Sequence, residues 1–268
     1  MNWQPIGQNW VLLPRRPIVA VIHFVGGAFV GAAPQVSYSK LLEAIAARGY
    51  AIIATPFINT LDHKAIATAV LSQFENALER LQRRQVLDRF LPIYGLGHSM
   101  GCKVHLLIGS LFEAERAGNI LMSFNNFDAD RAIPFAEWLN MAANVQFSPT
   151  PAQTYRLVQR YYPTPHNLLI RFRNDDLDQT RQIAVVLGDR FADKVILQKL
   201  QGNHLTPLGQ NLPRQLQGIF SPLDALGEWV SQEFYRDCTY LERTIVEWLD
   251  LLSASLSSNS PEWRERDR

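Results

Sequence analysis

A serine between small residues gives the chain its clearest chemical signal. The run GHSMG occupies residues 97–101, with Ser99 at its centre. A strand pattern at 90–95 precedes the run, and an apolar helix pattern from Met100 to Phe112 follows it. G-x-S-x-G between a strand and a helix is typical of a strained turn that exposes the serine hydroxyl. We therefore expect Ser99 to be a nucleophile beside a helix N-terminus that favours an oxyanion.

A histidine that could act as the base stands late in the chain. His204 lies in the loop QGNHLTP, which follows the last strand pattern at 194–200 and whose Gly and Pro mark a turn. A neutral imidazole can take the serine proton near pH 7 and return it to a leaving group. We predict His204 as this base. His98, inside the GHSMG run, is interpreted as a packing residue or one at the pocket edge.

Three carboxylates are candidates for the acid that would orient the histidine. They lie in the loop RNDDLD, which follows the strand pattern at 167–172. Asp178 is best explained as the N-cap of the following helix. The usual position of the acid just after a strand favours Asp175, with Asp176 as the alternative. Asp128 and Asp130, which follow the preceding strand pattern, remain further alternatives.

Backbone amides that could bind an oxyanion are expected at two places. The Met100 amide begins the helix after the nucleophile, and the loop HFVGGA at 23–28 follows the first strong strand. Phe24 stands where such loops usually carry glycine. The second donor is therefore open between Val25 and its neighbours, and we take Val25 as the candidate.

These residues need a scaffold, and the order of patterns predicts an α/β fold. From Pro17 onward, apolar β-branched runs alternate with helix-period segments, which is typical of a mostly parallel sheet with helices on both faces. Strand patterns are found at 18–24, 50–57, 90–95, 118–125, 167–172 and 194–200. Helix patterns are found at 38–48, 62–84, 100–112, 178–190 and 223–253.

The interval 127–166 interrupts this alternation and is far longer than a usual strand-to-helix connection. It contains two helix-like patches, at 134–143 and 151–162, and many aromatic residues. We expect an inserted helical lid at 127–166, a core formed by 1–126 and 167–253, and a flexible tail at 254–268.

Composition argues against several classes of partner and cofactor. The 268 residues carry a formal net charge of +1, which gives no general attraction to nucleic acid. No apolar run reaches the ~18 residues of a transmembrane segment. Cys102 and Cys238 lack metal-site spacing, and no cofactor motif is found. We expect neither a metal nor a cofactor.

The turn around Ser99 and the chain order Ser, Asp, His resemble the α/β-hydrolase superfamily over residues 18–253. Within it, GHSMGCKVH followed by GNHLTP resembles an uncharacterised hydrolase-like family of photosynthetic organisms and plastids. This resemblance implies a cytoplasmic location, or one like the plastid stroma, and implies no established substrate.

The resulting functional hypothesis is a serine hydrolase that cleaves an ester or thioester through Ser99, His204 and Asp175. The aromatic residues of 127–166 favour a small-molecule or lipid-like substrate with an apolar or acyl group. The alternative is a non-catalytic binding or assembly protein on a hydrolase scaffold, which would contact a protein partner through the lid or the C-terminal helix.

Overall fold

A computed structural model of the protein describes residues 1–28, 30–127, 146–209 and 232–258. Within these ranges, eight strands form one sheet. The strands are β1 (Trp3–Ile6), β2 (Asn9–Leu12), β3 (Ala20–Val25), β4 (Tyr50–Ala54), β5 (Ile93–His98), β6 (Gly118–Met122), β7 (Asn167–Asn174) and β8 (Val195–Asn203). Their order across the sheet is β1-β2-β4-β3-β5-β6-β7-β8.

The strands from β3 to β8 pair in parallel, so the predicted mostly parallel sheet is confirmed. All six residues of β3 are buried, as expected for a strand covered on both faces. Val25 pairs with Gly97, and His98 pairs with Met122. The carboxyl ends of β3, β5, β6 and β7 therefore meet at one edge, where loops from each strand converge.

The antiparallel N-terminal hairpin was not predicted. Gly7 and Gln8 connect β1 to β2, and Gly7 has a positive φ of 60°, as tight two-residue hairpin turns require. β2 also pairs antiparallel with β4. This edge extends the sheet away from the nucleophile, and its short strands carry too weak an alternation to be recognised from sequence alone.

Seven α-helices are described: α1 (Pro34–Ser37), α2 (Ser39–Ala46), α3 (His63–Arg83), α4 (Met100–Phe112), α5 (Pro151–Tyr161), α6 (Thr180–Phe191) and α7 (Gln232–Ser258). The predicted cap of α3 is confirmed, since the Asp62 side chain accepts a hydrogen bond from the Ala65 amide at 2.9 Å. The predicted bounds of α4 are also confirmed. The prediction for α6 was wrong by one position, because Gln179 rather than Asp178 occupies the N-cap.

Two apolar layers cover the sheet. Helices α2 and α7 pack on one face, with Leu42 and Leu249 fully buried. Helices α3 and α4 cover the other face, where Val70 and Leu107 are fully buried. Burying one such side chain contributes roughly 1.5–3 kcal/mol, so these layers hold the strands, and the loops at their ends, in fixed positions.

Only part of the interval 127–166 is described. Its second predicted helix is found as α5, which is capped by Thr150 and buries Val158. The patch at 134–143 and the alternative acids Asp128 and Asp130 lie outside the described residues, so the lid stays a prediction. Helix α7 extends to Ser258, past its predicted end, while its predicted beginning and residues 259–268 lie outside the described ranges. In the part of the chain that the structure describes, no helix is long and apolar enough to cross a membrane.

Candidate active site

The turn between β5 and α4 holds Ser99 in a strained conformation. Its backbone has φ 55° and ψ −119°, a region that residues with a side chain rarely adopt. A Cβ atom at Gly97 would lie 2.7 Å from the Cys102 amide nitrogen, and one at Gly101 would collide with the Val25 carbonyl oxygen. Both glycines are therefore required where the strand and the helix approach each other.

The structure brings the predicted base to the predicted nucleophile. His204 Nε2 lies 3.1 Å from Ser99 Oγ, although the two residues are far apart in the chain. His204 follows β8 in a loop that hydrogen bonds between backbone amides and side-chain oxygens stabilise. The Asn203 amide donates to Thr206 Oγ1, and the Leu205 amide donates to Asn203 Oδ1, each at 2.9 Å.

The other imidazole nitrogen faces Asp175. His204 Nδ1 lies 2.9 Å from one carboxylate oxygen of Asp175 and 3.1 Å from the other. Asp175 is buried, whereas Asp176 is exposed. Of the aspartates in this loop, Asp175 is thus the one that contacts His204. Asp178 instead accepts a hydrogen bond from the Thr180 amide and pairs with Arg171.

The surroundings of Asp175 favour its ionised form. Burial alone would raise the pKa of this carboxyl group, but the hydrogen bond and charge of His204 outweigh burial and lower the pKa below its ordinary value. The Leu177 amide also donates to Asp175 Oδ1 at 3.0 Å. The ionised carboxylate of Asp175 is placed to accept a hydrogen bond from His204 Nδ1, and the other ring nitrogen, Nε2, faces the serine.

Asn125 is a residue at this site that was missed from the sequence. Its side-chain Nδ2 donates to Ser99 Oγ at 2.8 Å. The loop that carries it is fixed to α6, because the Asn126 amide donates to Gln179 Oε1 and the Gln179 amide donates to the Phe124 carbonyl. Asparagine is common in loops after strands, so nothing in the local pattern distinguished Asn125.

His98 lies beside the site but does not take the position of the base. Its side chain is 1% exposed, and its Nε2 lies 2.9 Å from the His204 carbonyl oxygen. Its Nδ1 lies 2.8 Å from the hydroxyl of Tyr38, another residue that the sequence did not indicate. Burial, together with the neighbouring His204, lowers the pKa of His98 to about 3, so His98 is neutral at ordinary pH.

Of the two predicted oxyanion donors, Met100 directly follows Ser99, and Val25 lies on the strand beside the one that leads to Ser99. Met100 is the first residue of α4, so its amide has no partner within the helix. Val25 is the last residue of β3, is fully buried and pairs with Gly97. The Gly27 amide, in the same loop, donates to Tyr38 Oη at 2.9 Å.

The chemistry open to this arrangement is proton transfer from a serine hydroxyl to an imidazole that a carboxylate orients. Within the described ranges, no three His, Cys, Asp or Glu side chains are grouped as metal ligands would be. Both cysteines are buried and free.

Solved structures with this fold include several esterases and lipases. The chain resembles carboxyl esterase 2 from the fungus Tuber melanosporum, with 14% identity and a TM-score of 0.58, covering 94% of this chain and 86% of that one. It resembles the fluorophosphonate-binding serine hydrolase F of Staphylococcus aureus, with 13% identity, a TM-score of 0.57 and 91% of each chain covered. A monoacylglycerol lipase from Paleococcus ferrophilus shares 12% identity at a TM-score of 0.56, with 95% of this chain and 99% of that one covered. At these identities the likeness shows the fold, which is that of the α/β-hydrolases.

Sequence comparison gives the family. No curated protein matches the chain. The family model described as "Protein of unknown function (DUF1350)" matches residues 2–251, nearly the whole chain. The chain therefore belongs to the DUF1350 family, and it has the α/β-hydrolase fold.

Proposed function

We propose that this protein is a serine hydrolase that cleaves an ester or thioester. One observation carries the proposal. A continuous hydrogen-bonded path runs from Ser99 Oγ to His204 Nε2 at 3.1 Å, and from His204 Nδ1 to Asp175 at 2.9 Å. Nucleophile, base and orienting acid in this geometry are the parts that acyl transfer to serine requires.

The reaction follows from the positions of the protons. As Ser99 Oγ attacks the acyl carbon, His204 Nε2 takes the hydroxyl proton, and Asp175 stabilises the imidazolium that forms. The tetrahedral intermediate then collapses. Its bond to the leaving group breaks, and His204 returns the proton to that group. A water molecule, deprotonated by the same imidazole, then attacks the acyl carbon. The bond to Ser99 Oγ breaks, and His204 returns the proton to Oγ, which releases the carboxylic acid and restores the hydroxyl.

The oxyanion donors in this proposal are the amides of Met100 and Val25. Met100 is supported by its place at the N-terminus of α4, where free amides and the helix dipole favour negative charge. Val25 lies within the β3–β5 ladder, where its backbone pairs with Gly97. Since the Gly27 amide already donates to Tyr38, Ala28 is the alternative donor in this loop.

The proposed substrate is a small or lipid-like molecule with an apolar acyl group. The aromatic composition of 127–166 supports this class of substrate. A helical lid over that interval, and a protein partner at the lid or at α7, remain proposals.

The cellular location is also a proposal. The likeness of GHSMGCKVH and GNHLTP to a hydrolase-like family of photosynthetic organisms and plastids favours the cytoplasm or a compartment like the plastid stroma. Fractionation of cells that express the tagged full chain tests this. Recovery with integral membrane proteins after a carbonate wash would contradict it.

Hydrolysis assays test the proposed function directly. We expect the wild-type protein to cleave p-nitrophenyl esters or acyl thioesters over a range of chain lengths, and Ser99→Ala to abolish turnover. Ser110→Ala is a matched control, because Ser110 is a buried serine of α4 whose hydroxyl donates to the Leu106 carbonyl. Equal turnover by Ser99→Ala and wild type would refute the proposal. A folded wild type that cleaves none of these substrates would favour the non-catalytic alternative.

A further inference from the structure

Tyr38 and His98 have no part in the proposed reaction, yet both are buried beside it. We propose that they are positioning residues that join the base loop around His204 to the oxyanion loop 25–28 in one hydrogen-bonded unit. This inference rests on the proposed function, because it assigns to two further side chains the task of holding the proposed site in its reactive geometry.

The direction of each hydrogen bond in this unit is fixed by chemistry. The His204 carbonyl can only accept, so His98 Nε2 must carry a proton and donate it over 2.9 Å. Neutral His98 then has a bare Nδ1, which accepts from the Tyr38 hydroxyl at 2.8 Å. The oxygen of Tyr38 in turn accepts from the Gly27 amide at 2.9 Å. One continuous chain therefore runs from the Gly27 amide to the His204 carbonyl.

At the oxyanion loop, Tyr38 acts through both its hydroxyl and its ring. A Cβ atom at Gly26 would lie 2.8 Å from the Tyr38 ring, so the ring packs directly against the loop backbone. The same ring lies edge-on to Phe24, with centroids 4.7 Å apart. A Cβ atom at Gly27 would be 3.5 Å from the Ser99 Cβ atom. Tyr38 thus fixes a segment that passes close to the nucleophile.

At the base, His98 holds the backbone from which the catalytic ring projects. The two imidazole centroids are 4.9 Å apart, and His98 contacts the main chain of His204 rather than its ring nitrogens. A neutral neighbour suits this position, since a cation there would oppose the positive charge that His204 acquires during the reaction. Because displacement of a reacting group by about 1 Å can cost on the order of a hundredfold in rate, this anchor bears on turnover.

Kinetics on four variants test the proposal. We expect Tyr38→Phe to lower kcat about tenfold and His98→Leu to lower it about a hundredfold, with KM changed less than about twofold. His98→Gln should recover part of the loss, because its amide can still donate to the His204 carbonyl. Tyr94→Phe is the matched control. It removes a fully buried hydroxyl on β5 that bonds Ser253, so it should affect stability and leave kcat unchanged.

Two results would overturn the proposal. One is a kcat within twofold of wild type for folded Tyr38→Phe. The other is a His98→Gln enzyme no faster than His98→Leu, which would mean that the donor to the His204 carbonyl is irrelevant. If His98→Leu does not fold, the comparison of Tyr38→Phe with Tyr94→Phe still decides.

A second measurement separates this inference from the proposed function. Nitrogen-15 chemical shifts of the His98 ring in the wild type should show the proton on Nε2 and a bare Nδ1 whose shift changes in Tyr38→Phe. A proton on Nδ1 would overturn the hydrogen-bonded unit even in an active enzyme. If the wild type hydrolyses no ester while His98 shows the expected tautomer, the proposed function fails and the hydrogen-bonded unit stands.

Discussion

Asn125 Nδ2 and Ser99 Oγ are 2.8 Å apart, and the amide donates to the hydroxyl oxygen. Because Oγ accepts from Asn125, its own proton is directed toward the remaining partner, His204 Nε2 at 3.1 Å. Two neighbours together therefore orient the hydroxyl for proton transfer. An amide donor at this position also stabilises negative charge as it develops on the oxygen.

Changes at Asn125 should separate these effects. We expect Asn125→Leu, which removes the donor at similar volume, to lower kcat/KM about tenfold. Asn125→Asp should lose more, about a hundredfold, because a carboxylate beside Oγ opposes the developing charge. Steady-state kinetics on a short ester measure both variants. Equal activity of Asn125→Leu and wild type would remove Asn125 from the mechanism.

Paired substitutions identify the acid. Asp175→Asn should lower kcat by roughly a thousandfold or more, because an amide stabilises neither the imidazolium nor the tautomer that leaves Nε2 free. The exposed neighbour provides the control, and Asp176→Asn should remain within about twofold of wild type. Circular dichroism checks that both variants fold. If Asp176→Asn lost more activity than Asp175→Asn, the assignment of Asp175 as the acid would be wrong.

The strain at Ser99 should be measurable as stability. Glycine tolerates φ 55° and ψ −119°, whereas alanine keeps a Cβ atom in this conformation. Ser99→Gly should therefore unfold with a free energy about 1 kcal/mol higher than Ser99→Ala, although both lose the hydroxyl. Urea denaturation of the two variants provides the comparison. If Ser99→Ala proved the more stable, the turn would not store the strain that its dihedral angles indicate.

Buried histidines should make the protein sensitive to acid. Burial lowers the pKa of His63, His98 and His105 to about 3, and that of His23 well below its usual value. Between about pH 6.5 and 3 the unfolded chain therefore binds protons that the folded chain does not. The free energy of unfolding should fall as pH drops through this window, by up to about 1.4 kcal/mol per pH unit for each histidine.

Urea denaturation at pH 7 and pH 5 measures this loss of stability. His105→Gln should make the free energy of unfolding depend less steeply on pH, because one buried histidine no longer contributes. Below about pH 4, protonation of Asp175 should destabilise the fold further, since its pKa is lowered in the folded state. A stability that does not change between pH 7 and 5 would contradict this account.

The parts of the site that lie on strong local patterns could be predicted from the sequence. Ser99 stands where a buried strand gives way to a buried helix, and that change of period is visible in the residues themselves. Asp175 follows the largely buried strand β7, and His204 follows its parallel neighbour β8, so the topology brought them to the same edge of the sheet. The sequence favoured Asp175 over Asp176. Which of the two side chains points toward His204 is visible only in the structure.

The contacts that the sequence missed depend on tertiary packing. Tyr38 lies at the beginning of a helix, and nothing near it in the chain indicates that its hydroxyl reaches His98 at the end of β5. The hairpin of β1 and β2 was missed because it gains its register from β4, through pairs such as Val11 with Ile53. Partners of this kind are distant in sequence, so no local pattern records them.

Covalent labelling of Ser99 tests the central claim most directly. The wild-type protein, incubated with a fluorophosphonate probe, should gain one probe mass on the peptide that contains Ser99. His204→Ala should react far more slowly, and Ser99→Ala should not react. Folded wild-type protein that remains unlabelled at any probe concentration, or labelling that persists in Ser99→Ala, would contradict the account of this protein as a serine hydrolase.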